Sequence, residues 1–221
     1  MENTEASQIA GTVYAVALND RRMLQRMAPE FETAPYKAPP KAPILYIKPR
    51  NTFSRDGASV SVPADPGVVR IDATVGIVIG KTATRVSAEQ AGNYIRGYVI
   101  VSDVTLPHDN YYRPAIVQRC RDGFCPLGQV VELPDFDLNQ ATLTVDVDGK
   151  QAYQGDFSHL VRAVPALIQD VTEFMTLAEG DVLLVGAPEG APTAAPGQTV
   201  KIEVTGLGTL THSLVAAEEA K

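Results

Sequence analysis

Ile71-Asp72-Ala73-Thr74-Val75-Gly76-Ile77-Val78-Ile79-Gly80 and Gly97-Tyr98-Val99-Ile100-Val101-Ser102-Asp103 are the two runs whose reading decides the fold. Both are rich in β-branched residues, short, and bounded by glycine or a polar turn, as buried strands are. Asp72 lies near the start of the first run and Asp103 ends the second. A strand, helix and strand of this length bring two acids that are distant in sequence to one mouth of a sheet. Between the runs, Ser87-Ala88-Glu89-Gln90 has the form of a capping box and predicts a short helix to about Tyr94. The loop after Asp103 carries His108, Asn110, Tyr111, Tyr112, Arg113, Arg119, Arg121 and Asp122, and closes in the turn Gly123 to Gly128.

Working outward, a chain of 221 residues with 45% hydrophobic content can bury one full core. The expected division is an N-terminal strand and proline-rich connection over 1–43, then a catalytic domain over 44–221. The formal charge of −7 argues against nucleic acid as a partner, because a phosphate backbone is bound by surplus positive charge. Apolar runs are too short to cross a bilayer, so no membrane partner is expected. MENTEASQIAG lacks the basic start and apolar core of a secretory signal, and a soluble, cytoplasmic protein is the expectation. Cys120 and Cys125 are too few for a disulfide scaffold and have no histidine at zinc-site spacing, which leaves them as free thiols. Against the acidic background Arg113, Arg119 and Arg121 stand out. Either they hold a small anionic ligand or they belong to a solvated, salt-bridged loop.

Strands are expected over Gly11 to Leu18, Ile44 to Lys48, Val60 to Val62, Val68 to Ile71, Val130 to Leu133, Ala141 to Val147, Lys150 to Tyr153 and Val182 to Val185. Val200 to Val204 and Thr209 to Leu214 read as a closing hairpin. Arg21 to Met27 reads as a short helix, and Ala34 to Pro43 is too proline-rich to be helix or central strand. The strongest helical periodicity runs from His159 to Leu177, where Leu160, Val161, Val164, Leu167, Ile168, Val171, Phe174 and Met175 share one face; Pro165 is expected to kink it. The class is α+β, mainly β.

Five landmarks in order, Ile47-Lys48-Pro49-Arg50-Asn51, Asp72-Ala73-Thr74, Asp103, Arg119 to Gly128, and Gly180-Asp181 followed by Gly186-Ala187-Pro188-Glu189-Gly190, resemble the fumarylacetoacetate hydrolase family from Gly11 to Leu214. Within it, Tyr112-Arg113-Pro114-Ala115-Ile116 and Cys120 to Gly128 look closest to the isomerase/decarboxylase branch of 4-hydroxyphenylacetate (homoprotocatechuate) breakdown. The resemblance implies a mixed β-roll with its site at the mouth of the roll. It also implies pairing as a homodimer or with a homologous decarboxylase subunit. The implied substrate is a small polycarboxylate, 5-carboxymethyl-2-hydroxymuconate, tautomerised to its 2-oxo-3-ene isomer.

The family's magnesium or manganese ligands, Glu-x-Glu and a later Asp, correspond to Asp72, Thr74 and Asp103, so the implied ion would rest on Asp72 and Asp103 with a neutral hydroxyl in third place. The family lysine before the Asp-Gly turn is Arg119, and the threonine of its Gly-Thr-Pro motif is Ala187. Asn19-Asp20-Arg21-Arg22-Met23 holds no histidine where family hydrolases have one, so water activation in that manner lacks its base. Tautomerisation needs only a base, a proton donor and cations for the substrate's carboxylates. The expected catalytic residues are Asp72 or Asp103, as base or metal ligand, with Arg119. Lys48, Arg113, Arg119 and Arg121 are the expected grips, and Tyr112 is a candidate donor. His108 is expected to be a solvated loop residue and Asp122 to cap its own turn. Two other readings are open at this point: a non-catalytic subunit supporting a decarboxylase partner, and an acylpyruvate hydrolase or oxaloacetate decarboxylase with a different base.

Overall fold

Period-two alternation sorts the strands into two sheets with an apolar core between them, seen in a computed structural model that describes residues 9–133 and 136–217. Most of the N-terminal stretch, residues 1–8, read above as lacking a secretory signal, lies outside the described residues. The strands are β1 (Val13–Ala17), β2 (Ile44–Lys48), β3 (Phe53–Arg55), β4 (Ser59–Val62), β5 (Val69–Ile79), β6 (Ile95–Thr105) and β7 (Cys125–Val131). They continue with β8 (Thr142–Val147), β9 (Lys150–Asp156), β10 (Val182–Leu184), β11 (Thr193–Ala194), β12 (Thr199–Val204) and β13 (Gly208–Ala216). The α-helices are α1 (Arg21–Arg26), α2 (Ile116–Arg119) and α3 (Val164–Phe174). One sheet runs β2-β1-β10-β5-β6-β7-β3, with β11 also on β5, and the other runs β4-β13-β12-β8-β9. β1 comes from the N-terminal segment but lies inside the larger sheet, antiparallel to β2 and parallel to β10.

The centre of the larger sheet is the antiparallel pair β5–β6. Ile71, Ala73, Val75, Ile77 and Ile79 of β5, with Tyr98, Ile100 and Val104 of β6, face the main core. There they meet Leu143, Val145, Ile202, Val204 and Leu210 of the smaller sheet and Leu167, Ile168 and Val171 of α3. The alternate residues face the other way. Val78, Val99 and Val101 pack on Val13, Ala15, Val182 and Leu184 in a second cluster. Asp72 and Asp103 share this second face, and they are direct cross-strand partners. Like charges directly opposite destabilise a sheet unless something neutralises them.

Several local expectations change. Ala88–Tyr94 is helical but 3-10, and the Ser87 side chain does not cap it; the Gln90 amide donates to the Ser87 carbonyl instead. α3 begins at Val164 with Pro165 in its first turn, where a missing N–H costs nothing, so the proline starts the helix instead of kinking it. Phe174, counted on its apolar face, is exposed at the helix end. The Gly123 to Gly128 turn gives way to β7 from Cys125, because Phe53 and Arg55 of β3 pair in parallel with Cys125 and Leu127. Val68 to Ile71 is the start of the single strand β5 and not a separate piece.

Candidate active site

Arg119 closes the one-turn helix α2 and is buried, 6% exposed, with its guanidinium between the two acids. Its Nη2 donates to Asp72 Oδ2 at 2.6 Å and its Nη1 to Asp103 Oδ2 at 2.5 Å. Lys48, at the end of β2, is 1% exposed, and its Nζ lies 2.8 Å from Asp103 Oδ1. That contact is an ion pair too poorly angled to count as a hydrogen bond; the ammonium donates to the Arg119 carbonyl at 2.6 Å. Tyr46, two residues before Lys48 and so on the same face of β2, donates its hydroxyl to Asp103 Oδ2 and accepts from Arg119 Nη1 at 3.2 Å. Arg70 completes the set with a fork on Asp72, Nε to Oδ1 at 2.7 Å and Nη2 to Oδ2 at 3.1 Å. Three cations against two carboxylates leave the cluster with one net positive charge.

This arrangement sets the protonation states. Burial alone would raise the Asp72 carboxyl, but Arg119 and then Arg70 overcome it and lower it to about 2. Burial pushes the Tyr46 hydroxyl well above its ordinary range, so it stays a donor. His108 is not solvated as expected. Its ring nitrogens are buried without a hydrogen-bond partner among the described residues, and burial followed by repulsion from Arg119 and Arg70 lowers its pKa, which keeps it neutral.

A cavity of about 130 Å³ opens over the cluster, lined among others by Tyr46, Arg70, Asp72, Tyr111, Arg119 and Glu189. Arg26 of α1 also reaches it and is paired with Glu189 at 2.7 Å. Gly186, with φ +97°, turns the chain into this wall where a Cβ would meet the Val16 carbonyl at 3.0 Å. Asn19 fastens the same wall by donating to the Val185 carbonyl at 2.8 Å.

Of the residues singled out from sequence, Asp72, Asp103, Arg119 and Lys48 converge, but only Asp72 and Arg119 line the cavity. Asp103 lies behind Arg119 and Tyr46 and is not part of the cavity lining, with Oδ2 accepting from both and Oδ1 facing the Lys48 ammonium. Lys48, expected as a grip, is buried with its ammonium on Asp103 and the Arg119 carbonyl and is not part of the cavity lining. Arg113, Arg121 and Tyr112 do not reach the cavity. Arg113 is exposed, Arg121 donates to the Val117 carbonyl at 3.1 Å, and Tyr112 is 59% exposed with its ring edge-on to Tyr36. Asp122 accepts from Asn51 Nδ2 at 2.6 Å, so it ties two loops together. Sequence reasoning missed Arg70, Tyr46 and Tyr111. The i, i+2 spacing of Arg70 to Asp72 and of Tyr46 to Lys48 was the available signal.

The donor set does not fit a divalent ion. Both acids are already bridged by a guanidinium, and the Thr74 hydroxyl, in the third ligand position, donates to the Gly186 carbonyl at 2.8 Å. No group of three or more His, Cys, Asp or Glu among the described residues is placed to hold a metal. A divalent ion about 4 Å from the guanidinium would meet repulsion on the order of 8 kcal/mol at an effective dielectric constant of about 20.

Comparison with known proteins places this architecture. The chain is 41% identical over 209 residues to the 4-hydroxyphenylacetate degradation bifunctional isomerase/decarboxylase of Salmonella dublin, covering 95% of this chain and 48% of that protein. It thus spans about half the length of this relative. The solved structure of 5-carboxymethyl-2-hydroxymuconate delta-isomerase from Mycobacterium smegmatis superimposes with a TM-score of 0.81 at 30% identity, over 96% of this chain and 81% of that one. Fumarylpyruvate hydrolase from Pseudomonas aeruginosa, solved with Mn2+ and pyruvate, shares the fold alone, with a TM-score of 0.79 at 21% identity over 98% and 94% of the two chains. No helix among the described residues is long and apolar enough to cross a membrane. Residues 12–215 match the family described as fumarylacetoacetate (FAA) hydrolase C-terminal, and the chain belongs to the fumarylacetoacetate hydrolase family of enzymes.

Proposed function

We propose that the chain is an isomerase that converts 5-carboxymethyl-2-hydroxymuconate to 5-carboxymethyl-2-oxo-hex-3-ene-1,6-dioate in 4-hydroxyphenylacetate catabolism. The observation that carries this reading is the charge of the cavity: Arg26, Arg70 and Arg119 reach one pocket against two acids, Asp72 and Glu189, the latter paired to Arg26. Such a pocket suits a substrate with three carboxylates. The names of the Salmonella relative and of the Mycobacterium structure point the same way.

The reaction moves one proton off the dienol oxygen and another onto the distant C5, leaving a C2 carbonyl and a C3–C4 double bond. Asp72 is placed to take the first. An ionised carboxylate has about four acceptor sites, and three are filled here by Arg70 and Arg119. So acidic a group is a weak base, and abstraction depends on the two guanidiniums stabilising the dienolate oxygen as it forms. Tyr111 is placed to deliver the second. Its hydroxyl oxygen accepts from Arg70 Nη2 at 3.4 Å, leaving its hydrogen to donate into the cavity. Exchange with solvent at the open mouth then returns the proton from Asp72 and resupplies Tyr111.

The working assembly in this reading is a homodimer or a pair with a homologous decarboxylase subunit, in keeping with a relative about twice as long. The test is loss of dienol absorbance on adding purified protein, and its slowing in Asp72→Asn. Release of carbon dioxide or pyruvate would move the assignment to a decarboxylase or acylpyruvate hydrolase. A folded protein that changes nothing would be a non-catalytic partner.

A further inference from the structure

We infer that Arg119 is a built-in replacement for a divalent ion: its guanidinium holds Asp72 and Asp103 together and faces the substrate's oxygens, so the site works without magnesium or manganese. The identity of the substrate rests on the isomerase reading above, whereas the exclusion of metal does not.

Four features converge on it. Asp72 and Asp103 are cross-strand partners on one face, the place where a cation is required, and the guanidinium reaches both, at 2.6 and 2.5 Å. Arg70 takes two further acceptor sites on Asp72 and Tyr46 one on Asp103 Oδ2, while Asp103 Oδ1 accepts no hydrogen bond among the described residues and is held by the charge of the Lys48 ammonium 2.8 Å away. The Lys48 ammonium also binds the Arg119 carbonyl at 2.6 Å, which locks the backbone that carries the guanidinium. Finally, a guanidinium cannot lose its proton in a protein, so no accessible pH frees the two carboxylates for a metal. A divalent ion added beside it would raise the cluster from one net positive charge to three.

The chemical consequence is a cation of fixed shape. A metal offers open coordination positions and lowers the pKa of bound water, which hydrolysis uses. A guanidinium offers planar N–H donors that fit an enolate or a carboxylate and does nothing comparable for water. Replacing one by the other favours tautomerisation over hydrolysis at this site.

The experiment strips the whole chain with a chelator and titrates it with Mn2+, reading free Mn2+ by electron paramagnetic resonance and stability by thermal melting. The wild type is expected to bind no Mn2+ up to millimolar concentration and to show no shift. Arg119→Met, which removes the bridging cation and leaves only Arg70 and Lys48 against the two facing carboxylates, is expected to bind Mn2+ about tenfold or more tighter than wild type. One Mn2+ per wild-type chain, lost in Asp72→Asn, overturns the inference; so does a folded Arg119→Met with no gain. Should that variant not fold, the wild-type titration decides alone. If the protein binds no Mn2+ and also leaves the dienol untouched, the isomerase reading fails while this inference stands. Any turnover that is seen should survive chelation, and a loss restored by Mn2+ overturns the replacement role.

Discussion

Acid should weaken this fold through Asp72 in a way that a single substitution can isolate. The carboxyl is lowered from 3.8 to about 2 by Arg119 and Arg70 acting against burial. A depressed carboxyl contributes stability above its unfolded pKa and loses it as pH falls through the folded one. That lowering corresponds to roughly 2 kcal/mol near neutral pH. Linkage places the loss at about 1 kcal/mol by pH 3 and about 2 kcal/mol by pH 2, with almost none above pH 5. The assay is urea unfolding of wild type and Asp72→Asn at a series of pH values from 6 to 2, taking the difference at each. Subtraction cancels the other carboxylates, so the stability gap should narrow by the amounts just given. A gap that stays constant from pH 6 to 2 would refute the placement of Asp72 between two guanidiniums.

Lys48→Met keeps the buried stem but leaves Asp103 one cation short, and breaking a buried pair from one side costs about 3 kcal/mol. Melting should fall by about 6–12 °C for a chain of this size, and adding Asp103→Leu should recover part of it. Tyr111→Phe removes the proposed proton donor while keeping the ring, so kcat should drop about 10²-fold with KM little changed in the dienol assay. Burial pushes the Cys125 thiol up to about 12, while Cys120 is only half-buried, so a thiol reagent at pH 8 should modify one cysteine in the native protein and both in urea.

Much of this site was legible before any coordinates, because period two is a strong signal. Once Ile71–Gly80 and Gly97–Asp103 are read as neighbouring strands with an acid near each outer end, the pairing of Asp72 with Asp103 is close to forced. What the strand pattern could not supply is the third dimension. Arg70 at the start of β5 looks like any solvent-facing cation until Tyr111 and the His108 carbonyl close over it. Tyr46 in Ile-Leu-Tyr-Ile-Lys looks like ordinary packing, since nothing local says its hydroxyl meets an acid from β6. Arg113 and Arg121, expected as grips, lie away from the cavity for the opposite reason. Clustered charge in a loop does not tell which side chain turns inward, and α2 is too short to enforce a face; only Arg119 at its end does so. Pro165 shows the same limit in the backbone, because a proline within a helical pattern starts a helix as readily as it bends one.

The place of β1 has a practical consequence for anyone trimming this chain. Among the described residues β2, which carries both Tyr46 and Lys48, is hydrogen-bonded into the larger sheet through β1 alone. A version that begins after the proline-rich segment would keep every acid and guanidinium of the cluster. It would nonetheless cast the phenol and the ammonium adrift, leaving Asp103 to Arg119.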